Sequence, residues 1–198
     1  MIDFLESTDQ FIVLSINGWH TPLMDEFMWA ISGKLIWLPM YVTLIMMYWR
    51  KFNGRMTLVF VLAALLVVGL TDLISSQFIK EIVMRYRPSH HAELSEQLHF
   101  YQLSPDDYYK GGMYGFVSSH AANFFGLCTF VSLVLREQYK RISVVLTCVA
   151  CLVSLSRIYL GVHYLTDILG GAILGGLIAV IVYRFLFIAI IRKETIRK

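Results

Sequence analysis

The sequence predicts an all-α protein, a polytopic transmembrane helical bundle of about five spans with an N-terminal interfacial amphipathic helix. The chain is 57% hydrophobic and 16% charged, and its mean hydropathy is +0.62. A soluble domain could not keep so much apolar surface away from water. The apolar stretches are continuous, whereas the strands of a membrane barrel alternate at every second residue. We therefore expect one integral-membrane domain over residues 1–198.

The first predicted element covers residues 1–24. Between residues 3 and 19 it mixes large apolar side chains with Asp3, Glu6 and Asp9. A helix with one apolar and one charged face lies in the membrane interface rather than across the bilayer. Residues 1–24 are therefore predicted to form an interfacial helix that precedes the spans.

Five apolar segments are candidates for crossing the bilayer core, which takes about 20 helical residues. They cover approximately residues 27–49, 56–84, 114–135, 142–155 and 164–191. Asp72, inside the second segment, is predicted to form a hydrogen bond between helices, with pairing to a cation of the site as the alternative. Gly171 and Gly175 place two small residues on one face of the fifth segment, which predicts close helix packing inside the bundle.

The basic residues predict how the segments are oriented. Most of the 17 Lys and Arg residues lie between segments one and two, between segments three and four, or near the C-terminus. These residues are Arg50, Lys51, Arg55, Arg136, Lys140, Arg141, Arg184, Arg192, Lys193, Arg197 and Lys198. Because loops rich in Lys and Arg stay in the cytoplasm, the C-terminus is predicted to be cytoplasmic. The loop over residues 89–113 is then extracytoplasmic.

Three polar clusters interrupt the apolar sequence. They are Lys80-x6-Arg87-Pro88, then Ser118-Ser119-His120, then Ser156-Arg157-x5-His163-x3-Asp167. Charged groups inside or beside membrane spans usually mark function because burying them is unfavourable. The predicted topology brings all three clusters to the extracytoplasmic face, although they are far apart in the sequence. We expect them to meet in one pocket.

The first two clusters, together with Arg157 of the third, suit a phosphate group. Arg87 and Arg157 carry planar forks of donors that match phosphate oxygens, and Lys80 adds a point charge. Ser118 or Ser119 could cap the third span, where free backbone N–H groups favour an anion. Alternatively, the cations mark a membrane boundary and the serines only cap the helix.

The third cluster suits nucleophilic catalysis. His163 and Asp167 are four positions apart and would share one face of a helix. A carboxylate that accepts the Nδ1 proton leaves Nε2 free to attack, and His120 could protonate the leaving group as a general acid. The alternative for the His–Asp pair is stabilisation of the helix end.

Two features near the clusters have less specific interpretations. Lys34 is predicted either to bind the headgroup of a substrate or to extend towards the interface. The loop over residues 89–113 is predicted to cover the site as a lid or headgroup reader. Glu96 and His99 have a spacing that occurs in metal sites, but no full set of ligands accompanies them, so no metal is expected.

Together the three motifs resemble those of the type 2 phosphatidic-acid phosphatase superfamily, which also includes vanadium-dependent haloperoxidases. The resemblance covers about residues 25–190, and it implies a helical membrane bundle. The second motif departs from the family's usual Pro-Ser-Gly-His, because Val117 replaces Pro and Ser119 replaces Gly. Ser119 keeps a backbone N–H for an oxyanion, but its side chain narrows the pocket.

The resemblance also implies a role for each motif residue. His163 would be the nucleophile that forms a phosphohistidine, and Asp167 would orient it. His120 would protonate the leaving group and later activate water. The residues that would bind the phosphoryl oxygens are Lys80, Arg87, Ser118, Ser119 and Arg157.

These roles predict a metal-independent phosphatase of a bacterial plasma (inner) membrane that hydrolyses a lipid phosphate or diphosphate on the periplasmic face. The expected substrates are of the undecaprenyl diphosphate or lipid A type. Alternatives are a phosphatidylglycerol-phosphate phosphatase, a lipid phosphotransferase, a haloperoxidase, or a protein that binds or transports lipid phosphates without chemistry. Neither a cofactor nor a nucleic-acid partner is expected, and composition does not indicate an oligomeric state.

Overall fold

The structure, a computed structural model, describes residues 2–196 and is mostly helical. The helices are α1 Ile2–Asn17, α2 Pro22–Ser32, α3 Leu38–Trp49, α4 Gly54–Leu73, α5 Lys80–Val83, α6 Ser119–Leu135, α7 Ile142–Tyr159, α8 Leu165–Ile181 and α9 Ile188–Ile196. Two π-helical segments, Ile74–Ile79 and Val182–Phe187, join α4 to α5 and α8 to α9. The ends of the predicted domain, residue 1 and residues 197–198, lie outside the described residues, and with them two of the basic residues used for orientation.

The N-terminal segment is two helices rather than one element over residues 1–24. Helix α1 ends at Asn17, and α2 begins at Pro22. Thr21 caps α2, since its Oγ1 accepts a hydrogen bond from the Met24 backbone N–H at 3.2 Å. Proline at the first helical position has no N–H to leave unpaired, so it favours this start. The location of α1 in a membrane interface stays a prediction.

The first predicted span, over residues 27–49, is a bent pair of helices rather than one straight helix. Pro22–Ser32 and Leu35–Trp49 are bent by 72° relative to each other. Gly33 is extended at the end of α2, and Pro39, near the start of α3, cannot donate the backbone hydrogen bond that would continue a preceding helix. The break leaves Lys34 exposed between the two parts.

Three helices of the described chain are long and apolar enough to cross a membrane: Gly54–Val83, Ile142–Tyr159 and Leu165–Lys193. The bent pair Pro22–Ser32 and Leu35–Trp49 makes up to four if it counts as one span. Helix α6 is apolar but has only 17 residues. A membrane bundle is therefore supported, while the number of five spans stays a prediction.

Helix α6 lies at the centre of the bundle, between α4, α7 and α8. Its backbone meets that of α8 at Gly126, Gly171 and Gly175, which confirms the predicted close packing. On the outer face of α4, Leu58 and Leu65 remain 58% and 63% exposed. Such a face suits contact with lipid.

The loop over residues 89–113, named the covering loop, has regular secondary structure. It contains an antiparallel hairpin of β1 Gln102–Ser104 and β2 Asp107–Tyr108, so the all-α prediction is correct for the bundle but not for this loop. Leu94 and Leu98 of the loop are buried in a cluster with Val13 of α1. The loop and α1 are therefore packed together beside the ends of α6 and α8.

Candidate active site

The three polar clusters meet at one end of the bundle, where α5 and α7 end and α6 and α8 begin. Lys80 donates to Ser119 at 2.9 Å, Ser118 donates from its backbone to the Asp167 carbonyl at 3.0 Å, and Arg87 reaches His163 at 2.9 Å. Each of these contacts joins two different clusters. The convergence predicted from topology is thus present in the fold.

Arg87 reaches the site from an extended segment rather than from a helix. The helix that carries Lys80 ends at Val83, and Met84 follows in the left-handed region at φ 47°. The backbone of the next residues pairs with the chain near Tyr114, with Arg87 N–H donating to the Met113 carbonyl at 3.1 Å. Side chains two positions apart in an extended segment point to the same side. The segment therefore aims both Arg85 and Arg87 at the third cluster.

His163 and Asp167 form a buried pair at the start of α8. Their side chains are 1% and 0% exposed, and His163 Nδ1 lies 3.2 Å from Asp167 Oδ2. The predicted contact is present, but the predicted shared helix face is wrong, because His163 precedes Tyr164, the extended residue that caps α8. Asp167 also accepts the Tyr164 backbone N–H at 3.0 Å. The Asp167 carboxylate therefore contacts both the backbone at the start of α8 and the His163 imidazole.

The surroundings of His163 disfavour the charged form of its ring. Burial holds the pKa of His163 well below its usual value, and the nearby cations Arg87, Arg157 and Lys80 lower this pKa further. Asp167 accepts from Nδ1, which leaves a lone pair on Nε2, the atom to which Arg87 Nη1 donates. This tautomer is inferred from the hydrogen bonds. A neutral imidazole with a free Nε2 lone pair is the form that can attack phosphorus.

Arg87 is held in place by hydrogen bonds to two backbone carbonyl groups. Arg87 donates from Nε to the Tyr114 carbonyl at 3.1 Å and from Nη1 to the Val162 carbonyl at 3.0 Å. Burial, and then the charge of Arg157, lower the pKa of Arg87 to about 10, so it stays cationic near neutral pH. A planar guanidinium of this kind suits phosphate oxygens.

Arg157 has an unmet hydrogen-bonding group. Its Nη1 donates to Ser32, its Nη2 donates to the Tyr109 hydroxyl at 2.7 Å, and its residue is 2% exposed. Its Nε is buried and, among the described residues, has no hydrogen-bond partner. A buried donor without an acceptor is unfavourable. An anion bound beside Arg157 would supply that acceptor.

The second cluster opens α6. Ser118 Oγ caps the helix by accepting from the Ala121 N–H at 3.4 Å. Ser119 Oγ accepts a hydrogen bond from Lys80 Nζ at 2.9 Å and lies 2.9 Å from Ser75 Oγ. Its side chain therefore orders the lysine as well as narrowing the pocket.

A groove leads from this cluster into the apolar part of the bundle. The cavity has a volume of about 380 Å³, and its polar lining residues include Lys34, Ser119 and His120. Its inner wall is apolar, with Phe60 and Val68 among the lining residues. Lys34 therefore lines the same groove as Ser119 and His120. Asp72, also on the wall, accepts from Asn123 Nδ2 at 3.0 Å, which confirms the predicted bond between helices.

Three residues at the site are not among those predicted from the sequence. Tyr109 and Arg85 contact predicted site residues, and Asp9 contacts Arg85. Tyr109 belongs to the covering loop and meets Arg157. Arg85 contacts both Asp9 and Asp167. A signal existed for Arg85, because it lies two positions before Arg87 next to a proline that favours extended backbone. For Asp9 and Tyr109 the sequence carries no motif.

His99, one of the loop residues considered for a metal, contacts residues of α1 and α2 and the segment between them. His99 Nε2 lies 2.9 Å from Asp25 Oδ2, and the His99 ring stacks on His20 with centroids 4.1 Å apart. Asn17 holds the backbone of His99 through its side chain. These contacts fasten the covering loop to α1 and α2.

Comparison with known proteins agrees with this geometry. A family model described as the PAP2 superfamily matches residues 56–190, which contain all three clusters. A lipid A 4′-phosphatase of Bacteroides thetaiotaomicron is 37% identical over 176 residues, covering 89% of this chain and 76% of that protein. A lipid A 4′-phosphatase of Porphyromonas gingivalis is 33% identical over 183 residues, covering 92% of this chain and 75% of that protein.

A solved structure shares the fold as well. The crystal structure of a transmembrane PAP2 type phosphatidylglycerolphosphate phosphatase from Bacillus subtilis matches with a TM-score of 0.64 and 26% identity, covering 91% of this chain and 85% of that chain. The family model spans well over half of the chain, and both lipid A phosphatases align with most of it. The chain belongs to the PAP2 superfamily.

Proposed function

We propose that this protein is a metal-independent lipid phosphatase that works through a phosphohistidine on His163. The observation that carries the proposal is the placement of His163: its Nδ1 faces Asp167, and its Nε2 faces Arg87 of the cationic cluster. A binding protein would need the cations but not an oriented imidazole. Family membership supports the same reaction class, hydrolysis of a lipid phosphate.

The first chemical step forms a P–N bond and breaks a P–O bond. His163 Nε2 attacks phosphorus, and the lipid alkoxide leaves with a proton from His120. Arg87, Arg157 and Lys80 bind the equatorial oxygens, where transition-state charge collects. Since Arg87 now donates to Nε2, substrate binding must transfer that donor to a phosphate oxygen.

In the second step, His120 acts as a base instead of an acid. Water attacks phosphorus, His120 takes a proton from that water, and the P–N bond breaks to release inorganic phosphate and neutral His163. Every group needed for both steps comes from the chain itself, so the proposal requires no metal ion. A phosphotransferase would differ only in the acceptor that replaces water.

The lipid substrate is best matched by a lipid A-type phosphate. The apolar groove beside His120 supports a substrate with acyl chains, because Ser119 and His120 line it together with apolar side chains of the bundle. The two relatives at 37% and 33% identity are lipid A 4′-phosphatases. Placement of the site on the periplasmic face of a bacterial inner membrane follows from the positive-inside rule and is part of the proposal.

The test is phosphate release from a panel of lipids by detergent-purified protein in the presence of EDTA. The panel contains a lipid A-type disaccharide 4′-phosphate, undecaprenyl diphosphate and phosphatidylglycerol phosphate. We expect release to resist EDTA and to be fastest for the disaccharide phosphate. Binding of the lipids without any release would contradict the phosphatase proposal and favour a binding or transport protein.

A second candidate is a phosphatidylglycerol-phosphate phosphatase. It is favoured by the fold match to the Bacillus subtilis enzyme at 26% identity. The same panel separates the two, because preference for phosphatidylglycerol phosphate over the disaccharide by tenfold or more would select this alternative.

The role of His120 predicts an effect that depends on the leaving group. In His120→Ala, release from lipid phosphates should fall by about 10²–10⁴-fold, the usual contribution of a general acid. With p-nitrophenyl phosphate the leaving group needs no proton, so the first step should persist while the second is slow. The measurement is a burst of about one p-nitrophenolate per enzyme followed by slow turnover. Equal losses on both substrates, with no burst, would assign His120 a different role.

A further inference from the structure

Arg85 joins the N-terminal helix to the proposed catalytic carboxylate. Its Nη1 donates to Asp167 Oδ1 at 3.0 Å, and its Nη2 donates to Asp9 Oδ2 at 2.9 Å. One guanidinium thus bridges two carboxylates that are buried, with side chains 0% and 3% exposed. A planar fork with several donors can make such a bridge, whereas the ammonium of lysine cannot hold both groups in a fixed plane.

Both oxygens of Asp167 are used, and for different purposes. Oδ2 faces His163 Nδ1 at 3.2 Å and the Tyr164 N–H at 3.0 Å, while Oδ1 accepts from Arg85. Arg85 therefore holds the oxygen that His163 does not contact. Its guanidinium also lies 4.2 Å from the centre of the Tyr164 ring, which limits its movement.

Asp9 fixes Arg85 and the start of α8 together. Its Oδ1 accepts the Thr166 backbone N–H at 3.1 Å, and its Oδ2 accepts from the Thr166 hydroxyl as well as from Arg85. A helix N-terminus leaves backbone N–H groups free, and a carboxylate there is stabilising. Here that carboxylate belongs to Asp9 of another helix, α1, and Asp9 lies 157 positions before Thr166 in the sequence.

We infer that Arg85 is a positioning residue that fixes Asp167 against His163, and that Asp9 of α1 holds Arg85 in place for this purpose. The inference rests on the proposed function. It assigns α1 a part in catalysis in addition to any contact with the membrane surface. Arg85 is directed to Asp167 Oδ1 and Asp9, so it should affect the chemical step rather than the binding of phosphate.

The test compares Arg85→Gln, Arg85→Lys and Asp9→Asn with the wild type in phosphate release on the preferred lipid. Loss of a residue that orients a metal ligand typically costs about 10–100-fold. By analogy we expect kcat of Arg85→Gln to fall by a similar factor, with KM changed less than about threefold. Arg85→Lys should recover part of kcat. Glu6→Gln, which removes a half-exposed acid from the same helix, is the matched control and should keep wild-type kcat.

A double variant tests whether Asp9 acts through Arg85. If it does, Asp9→Asn combined with Arg85→Gln should be no slower than Arg85→Gln alone, because residues that act as one unit are not additive. All variants are assayed as the folded fraction from size exclusion, so a loss of folded protein is not counted as a loss of kcat.

The outcomes separate this inference from the proposed function. A fall in kcat at constant KM, with no further loss in the double variant, supports it. Unchanged kcat in Arg85→Gln, a rise in KM alone, or multiplied losses in the double variant would overturn it while the phosphatase proposal stands. A wild type that releases no phosphate from any lipid would overturn both.

Discussion

His163→Ala is expected to abolish phosphate release, with kcat falling by at least about 10⁴-fold, the scale seen when a nucleophile or its base is removed. Without Nε2 the P–N bond cannot form, and water would have to attack phosphorus without the covalent step. The measurement is phosphate release together with acid-labile, base-stable labelling of the protein by a radioactive phosphate ester. Both signals should disappear in the variant.

The same variant should still bind the lipid. Arg157 and Lys80 do not depend on His163 for their hydrogen bonds, and Arg87 Nη1 loses one acceptor at His163 Nε2 and becomes available to phosphate. We expect equal or tighter binding of the lipid phosphate by His163→Ala.

His91→Ala is the matched control for this variant. His91 is a partly exposed histidine of the covering loop, and its contacts are to Glu6 and the Leu94 backbone. Full activity in this control and residual activity above about 1% in His163→Ala would contradict the phosphohistidine mechanism, because covalent catalysis cannot survive loss of its nucleophile.

The site was predictable where a motif fixes both residue type and spacing. The His163–Asp167 contact was expected from a shared helix face, and it exists because Asp167 closes the start of α8 while His163 stands just before it. Four positions bring the two side chains together in either arrangement. The convergence of the clusters was predictable from the alternation of apolar segments and basic loops.

The parts that were missed depend on long-range contacts. The partnership of Asp9 with Arg85 joins positions 76 residues apart, and no periodicity in α1 distinguishes Asp9 from an acid that faces water. The break at Gly33 was hidden because both of its flanks are apolar and were merged into one segment. The packing of the covering loop on α1 likewise required knowledge of where α1 lies.

Because α6 and α8 pack closely at Gly175, a larger residue at this position should destabilise the protein. In Gly175→Ala the new Cβ would lie 2.2 Å from the Ala122 carbonyl oxygen and 2.7 Å from the Gly126 nitrogen. Both are backbone atoms of α6, so no side-chain rotation can relieve the overlap and the two helices must separate. We expect a free energy of unfolding lower by about 1–3 kcal/mol, the usual penalty for overpacking, and a melting temperature in detergent lower by several degrees.

Gly176→Ala is the control that isolates this cause. A Cβ at Gly176 meets nothing within 4 Å, and alanine favours a helix over glycine by about 0.5–1 kcal/mol, so this variant should melt at or above the wild-type temperature. Equal melting temperatures for the two variants would contradict the role of Gly175 in packing. Because α6 begins at Ser119 and α8 carries Asp167 in its first turn, helix separation at Gly175 should also reduce phosphate release, although Gly175 touches none of the proposed catalytic groups.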